Sequence, residues 1–148
     1  MMRIFMREAR VRKVFVDTWA WYALADKADA EHVHAQTANE ALLDDGVTFA
    51  TTNFVLAEAV TLIRYHLHHA AAVQFWRMIQ QMSGGGLLEV VRVSEQHEAT
   101  AWDIFEKYHD QKFSYVDCTS FAIMRELKIE RAFTADHHFL VMGFTLIS

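Results

Sequence analysis

The sequence predicts an α/β fold: a three-layer α/β/α sandwich around a mostly parallel central sheet of about five strands. Three observations predict it. Short apolar runs rich in β-branched and aromatic residues alternate with longer stretches of helical periodicity. The 148 residues have the length of one domain, and a hydrophobic fraction of 53% with 13% aromatics supplies its core. No proline, internal repeat or low-complexity tract marks a second domain.

The elements follow in order. "KVFVD" (13–17) has the β-branched and aromatic content of a short buried strand. "TWAWYALAD" (18–26) and "AEHVHAQTANEALLDDG" (30–46) read as helices, the second closed by Gly46 at the C-cap position. "VTFAT" (47–51) is a strand. "NFVLAEAVTLIRYHLHH" (53–69) is a helix with Leu56, Val60, Ile63 and Leu67 on one face. In 70–82, Ala72, Phe75, Trp76 and Ile79 share a face, and "SGGG" (83–86) breaks the pattern. "LLEVVRV" (87–93) is the third strand. Ser94 caps a helix over 95–110 whose apolar side is read as Ala99, Trp102, Phe105 and Tyr108. Ser114 opens a helix over 114–129 that is apolar nearly all round, as a helix packed on both sides must be. "RAFTAD" (131–136) and "GFTLIS" (143–148) are the last strands, with a short turn of helix between them.

Residues 13–148 therefore form the domain. Residues 1–12 are set apart as a basic arm, either disordered or an over-long start with Met6 as a second initiator. No apolar run approaches the ~20 residues that span a bilayer. The basic start is a poor secretory signal because Asp17 interrupts the apolar stretch behind it. A lone cysteine, Cys118, fits a reducing compartment, and a cytoplasmic location is expected. The net charge, 14 − 19 = −5, excludes a general basic field for nucleic acid, so such binding must come from a local patch or a metal.

Right-handed crossovers put the carboxyl ends of parallel strands on one edge, where α/β sites form. Four acids fall there. Asp17 ends the first strand and Asp136 the fourth. Glu58 and Asp117 lie in the early turns of helices that start near that edge. Each acid also has a structural reading. Asp17 and Asp136 stand where they would cap helices, Ser114 and Asp117 fit a capping box, and Glu58 suits an exposed helix face. Four carboxylates in one cleft repel one another unless a cation joins them. Hard divalent cations such as Mg²⁺, which take oxygen ligands, match that need and support phosphoryl displacement by activated water. In this reading the cation lies between Asp17 and Asp117, helped by Glu58 or Asp136.

The segments "VFVDT", "TTNFVLAEAV", "SYVDCTSFAIM" and "FTADHHF" resemble the four acidic motifs of PIN-domain ribonucleases, with VapC-like toxins of toxin–antitoxin pairs the nearest branch. The resemblance runs from about residue 13 to the end. It implies Mg²⁺- or Mn²⁺-dependent cleavage of single-stranded or looped RNA, with Asp17, Glu58, Asp117 and Asp136 as the metal-site acids. Thr18 and Thr134 would orient carboxylates through their hydroxyls. The resemblance also implies a homodimer, and an antitoxin that holds the enzyme inactive. Arg64, Lys112 and Arg125 are the local cations proposed to hold flanking phosphates. The sequence departs from the family in its longer basic arm and in the histidine pair after Asp136.

Rival readings are a stand-alone PIN nuclease in RNA processing, a catalytically silent PIN-like module, a receiver domain and a histidine-based zinc hydrolase. The silent module would have lost acids that this chain keeps. The receiver would need paired acids at the first strand and a late-strand lysine, which are lacking. Nine histidines keep the zinc reading open, with His66 and His69 paired on one helix, although no H-E-x-x-H or Cys/His spacing is present. His137 and His138 are expected, at most, to contact substrate or tune the cleft.

Overall fold

A computed structural model describes residues 13–148; the N-terminal arm lies outside the described residues. The strands are β1 (Lys13–Val16), β2 (Thr48–Thr52), β3 (Leu88–Val91), β4 (Arg131–Phe133) and β5 (Thr145–Ile147). The helices are α1 (Thr18–Ala25), α2 (His32–Asp44), α3 (Asn53–His66), α4 (His69–Gly84), α5 (Glu95–Lys107), α6 (Tyr115–Leu127) and α7 (His138–Val141). All pairings are parallel, in the order β3-β2-β1-β4-β5. The chain winds outward from β1 through β2 to β3, then crosses back to β4 and winds the other way. Right-handed crossovers accordingly put α1–α4 on one face and α5–α7 on the other. No helix among the described residues is long and apolar enough to cross a membrane.

The central strands are buried on both sides, which explains their continuous apolar runs. Val14, Phe15, Ala50, Ala132 and Phe133 have no exposed surface. On the α5–α7 side a chain of rings fills the core: Phe113 to Phe121 at 5.1 Å, Phe121 to Phe139 at 5.0 Å, and Phe139 to Phe15 at 6.5 Å. α6 is sandwiched as its pattern predicts, with every residue from Cys118 to Met124 buried.

Several boundaries differ from the sequence reading. The stretch 53–69 is two helices, because the chain turns at Leu67 and the His68 ring accepts the amide of Ala71 to cap α4. His66 and His69 therefore sit on different helices. Ser83 and Gly84 finish α4, and the turn falls at Gly85 and Gly86, the latter with φ +77°. On α5 the buried residues are Ala101 and Ile104, one step round from the predicted face, and Trp102 is 50% exposed. On α4 Trp76 is 44% exposed while Ala72, Phe75 and Ile79 are buried. β4 stops at Phe133, so Asp136 lies in the loop beyond it.

Candidate active site

The strand order reverses between β1 and β4, so the chains leaving them diverge and open a crevice at their carboxyl ends. Register fixes what stands there. Val16 pairs with Phe133, which brings Asp17 level with Thr134. The Asp17 amide donates to the Phe133 carbonyl (3.2 Å), and the Thr134 hydroxyl donates to Asp17 Oδ2 (3.0 Å). The same hydroxyl accepts the amide of Asp136 (3.1 Å), so one buried oxygen links two acids. Asp136 Oδ1 accepts the amide of His138 (2.9 Å). This i to i+2 bond closes a turn just before α7, whose N-cap position is His137, and it holds the carboxylate at the cleft.

Asp117 is held by a complete capping box. Its amide donates to Ser114 Oγ, and its Oδ2 accepts the amide of Ser114, both at 3.0 Å. The structural role and the site role coincide, because a cap in the first turn of α6 points at the sheet edge. Asp17 occupies the N-cap position of α1, but its side chain does not bond the helix's later amides. Instead it faces a cleft of about 530 Å³ that Glu58, Asp117 and Asp136 also line.

Electrostatics mark the crevice as a place that wants a cation. Asp17 is only 6% exposed. Burial pushes its pKa up to about 7; repulsion from Asp117 and Asp136 adds to the rise, and hydrogen bonds from the Thr18 amide and the Thr134 hydroxyl oppose it. Asp117 is raised in the same direction, by burial first and by Asp136 next. No lysine or arginine is among the described residues lining the cleft.

Asp117, Asp136 and His138 carry ligand atoms that all lie within 4.8 Å of one another. His138 Nδ1 is 3.2 Å from Asp136 Oδ1 and 3.7 Å from Asp117 Oδ2. The Phe113 ring braces the imidazole edge to face at 5.2 Å. The sequence reading valued this histidine no more than exposed His137. The signal lay in the turn itself: a carboxylate that accepts the amide two residues on folds that residue back toward it. Thr18 Oγ1 is buried in the cleft wall without a hydrogen-bond partner. Several carboxylates, one imidazole and an unpartnered hydroxyl form a donor set that fits a hard divalent cation.

The sequence profile of the family described as "PIN domain" matches residues 14–144. The chain belongs to the PIN-domain family. This PIN domain is similar to the 23S rRNA-specific endonuclease VapC20 of Mycobacterium tuberculosis, in strains CDC 1551/Oshkosh and H37Rv. Identity is 33% over 131 residues, covering 88% of this chain and 95% of the relative. The crystal structure of M. tuberculosis VapC20, described as a sarcin-ricin loop cleaving toxin, superposes with a TM-score of 0.78 at 31% identity. The match covers 89% of this chain and 96% of that one. The α/β/α layering expected from the alternating pattern, and the PIN architecture that the motif resemblance implied, are thus the architecture present.

This PIN domain places the remaining candidates unevenly. Glu58 lines the cleft but is exposed, about one and a half turns beyond the Thr52 cap of α3. Neither it nor Asp17 belongs to the tight group of Asp117, Asp136 and His138, although Asp17 shares the cleft with that group and feels the charge of Asp117. Arg64 lines a different groove, between α3 and α4, with His69, Trp76 and Arg77. Arg125 sits in the last turn of α6, eight residues and about 12 Å along the axis from Asp117. Exposed Lys112, two residues before Ser114, remains beside the crevice in sequence. Cys118 is buried behind Asp117, and burial pushes its thiol up to about 11, against a nucleophilic role. Of the other histidines, His32 bonds the Ala23 carbonyl, His97 sits between the Ser94 amide and Glu126, and His68 caps α4. The one metal-compatible group among the described residues holds a single histidine, which does not favour the zinc reading.

Proposed function

We propose that this chain is a divalent-metal-dependent endoribonuclease and the toxin of a toxin–antitoxin pair. The observation that carries the reading is the convergence of Asp17, Asp117 and Asp136 at the β1–β4 switch point, with buried Asp17 left without a protein cation. Family membership and the endonuclease activity named for VapC20 support it. Asp17, Glu58, Asp117 and Asp136 are the working acids. Asp117 and Asp136 would hold Mg²⁺ or Mn²⁺ with His138 beside them, and Asp17 and Glu58 would supply the further carboxylates of the same cleft.

A divalent cation, when bound, activates water for attack on a phosphodiester and neutralises charge that builds on the phosphoryl group. The chain's own part is positioning. Thr134 holds Asp17 and the Asp136 loop in one register, Ser114 aims Asp117, and Thr18 offers a free hydroxyl to the cleft. The carboxylates act as ligands and orienting groups, not as covalent nucleophiles. Lys112 holds a flanking phosphate. Work on RNA in the cytoplasm, a homodimeric state and control by an antitoxin complete the proposal.

The test is RNA cleavage by the purified chain with Mg²⁺ or Mn²⁺. The wild type should cleave, EDTA should stop it, and Asp17→Asn and Asp117→Asn should each lose at least a hundredfold. Full activity in either folded variant would overturn the acid assignment. A neighbouring gene for a small DNA-binding protein with a flexible tail would support the toxin role over a stand-alone RNA-processing enzyme.

A further inference from the structure

The cleft is lined by two chemically different kinds of side chain. Beside the carboxylates, the lining carries the side chains of Trp19, Tyr22 and Leu62. We propose that Trp19 and Tyr22 form a stacking subsite that seats nucleobases of single-stranded RNA beside the acidic cluster. The inference rests on the nuclease reading above and adds how the substrate is held.

The charge distribution demands such a device. Asp29 adds another acid to a lining that has no lysine or arginine among its described residues. A bound cation would offset the scissile phosphate and Lys112, just before the Asp117 helix, would hold one flanking phosphate, but no lysine or arginine is among the described residues that line the cleft itself. Arg64 and Arg125 stand elsewhere on the molecule. Much of the affinity for a polyanion must then come from its uncharged parts, and every base offers an apolar face.

The two rings suit that purpose. They lie at i and i+3 on α1, so they share one side of the helix, about 4.5 Å apart along its axis. Both are half-buried at a cleft wall rather than sealed in the core, in contrast to Trp21 on the same helix. Both are braced. Trp19 packs edge to face on Phe133 at 6.3 Å. The Tyr22 hydroxyl donates to Asp26 Oδ2 at 2.8 Å, and its ring meets His66 edge to face at 5.8 Å. Rings fixed before the ligand arrives lose little rotamer freedom on binding. Trp19 is two residues from Asp17, so a base on it adjoins the nucleotide whose phosphate faces the acids.

The test is a coupling experiment on the full chain carrying Asp117→Asn to suppress cleavage, in Mn²⁺. Fluorescence anisotropy measures binding of a labelled ten-nucleotide single-stranded RNA and of versions with one abasic site moved along it. Loss of a stacked base costs roughly 5- to 150-fold in affinity. Trp19→Leu and Tyr22→Leu should each weaken the intact RNA by about tenfold on that scale. Tyr22→Phe, which keeps the ring, should not, nor should Trp76→Leu in the α3–α4 groove. One abasic position should weaken the parent to the same degree, yet cost nothing further in the matching ring variant. Equal abasic penalties in parent and ring variants, or undiminished binding by folded ring variants, overturn the subsite. Cleavage of the same RNA by the unmutated chain scores the nuclease reading separately. Coupling without cleavage removes that reading and leaves the subsite; cleavage without coupling does the reverse. Absence of RNA binding in every protein removes both.

Discussion

Replacing Asp17 by Asn should stabilise the metal-free protein at neutral pH while abolishing its activity. The carboxyl titrates near 7 in the fold against 3.8 in its unperturbed state. A group whose acidic pKa is raised holds its proton more tightly when folded, so stability falls as pH rises from about 4 through 7. Above that window the ionised carboxylate costs up to about 4 kcal/mol, a gap of about three units at roughly 1.4 kcal/mol each. Asn keeps an oxygen to accept the Thr134 hydroxyl and carries no charge. If half the cost is recovered, melting rises by roughly 4–8 °C for a chain of this size. Chemical denaturation in EDTA at pH 5, 6, 7 and 8 measures it. The wild type should lose stability across the series, and the variant should lose much less. Saturating Mn²⁺ should then reverse the ranking, since a ligand stabilises only the protein that binds it. An Asn variant less stable than wild type at pH 8, with the wild-type pH slope intact, would refute the reasoning that Asp17 is a buried, uncompensated charge.

Thr134→Val should cost about 1–3 kcal/mol, because it removes the partner of the half-buried Asp136 amide and of the buried Asp17 carboxylate; Thr134→Ser should restore both stability and cleavage. Ser114→Ala should lower stability by about 1 kcal/mol through the lost cap, and should also reduce cleavage because Asp117 loses its aim; unchanged activity would separate the cap from the site. Asp136→Asn should cost more activity than alanine at both His137 and His138, and His138→Ala should cost more than His137→Ala. The opposite order would return weight to a histidine-based centre.

Much of this was legible in the residues, for reasons that can be named. Strands buried on both faces write continuous apolar runs, so β1, β2 and β4 announce themselves in "VFV", "TFAT" and "AF". A parallel sheet then sends Asp17 and Asp136 to one edge whatever the details of packing. The capping box at Ser114 and Asp117 is local and needs no tertiary knowledge. What the sequence did not reveal depends on angles or contacts. The face of α5 was misjudged because Trp102 and Phe105 are apolar yet exposed, stacked on each other at 5.4 Å, while smaller Ala101 and Ile104 face the core. The break at Leu67 carries neither glycine nor proline. Arg64 shares a helix with Glu58, but six residues of helical turn carry it into another groove. His138 looked equivalent to His137 until the turn after Asp136 separated them.

The central claim is that acids distant in sequence form one divalent-cation site. Calorimetric titration of Mn²⁺ into the purified chain, beside Asp17→Asn, Asp117→Asn and Asp136→Asn, tests it most directly. The wild type should bind with a clear heat, and each folded variant should bind at least tenfold more weakly. Equal Mn²⁺ affinity in all four proteins would contradict the account.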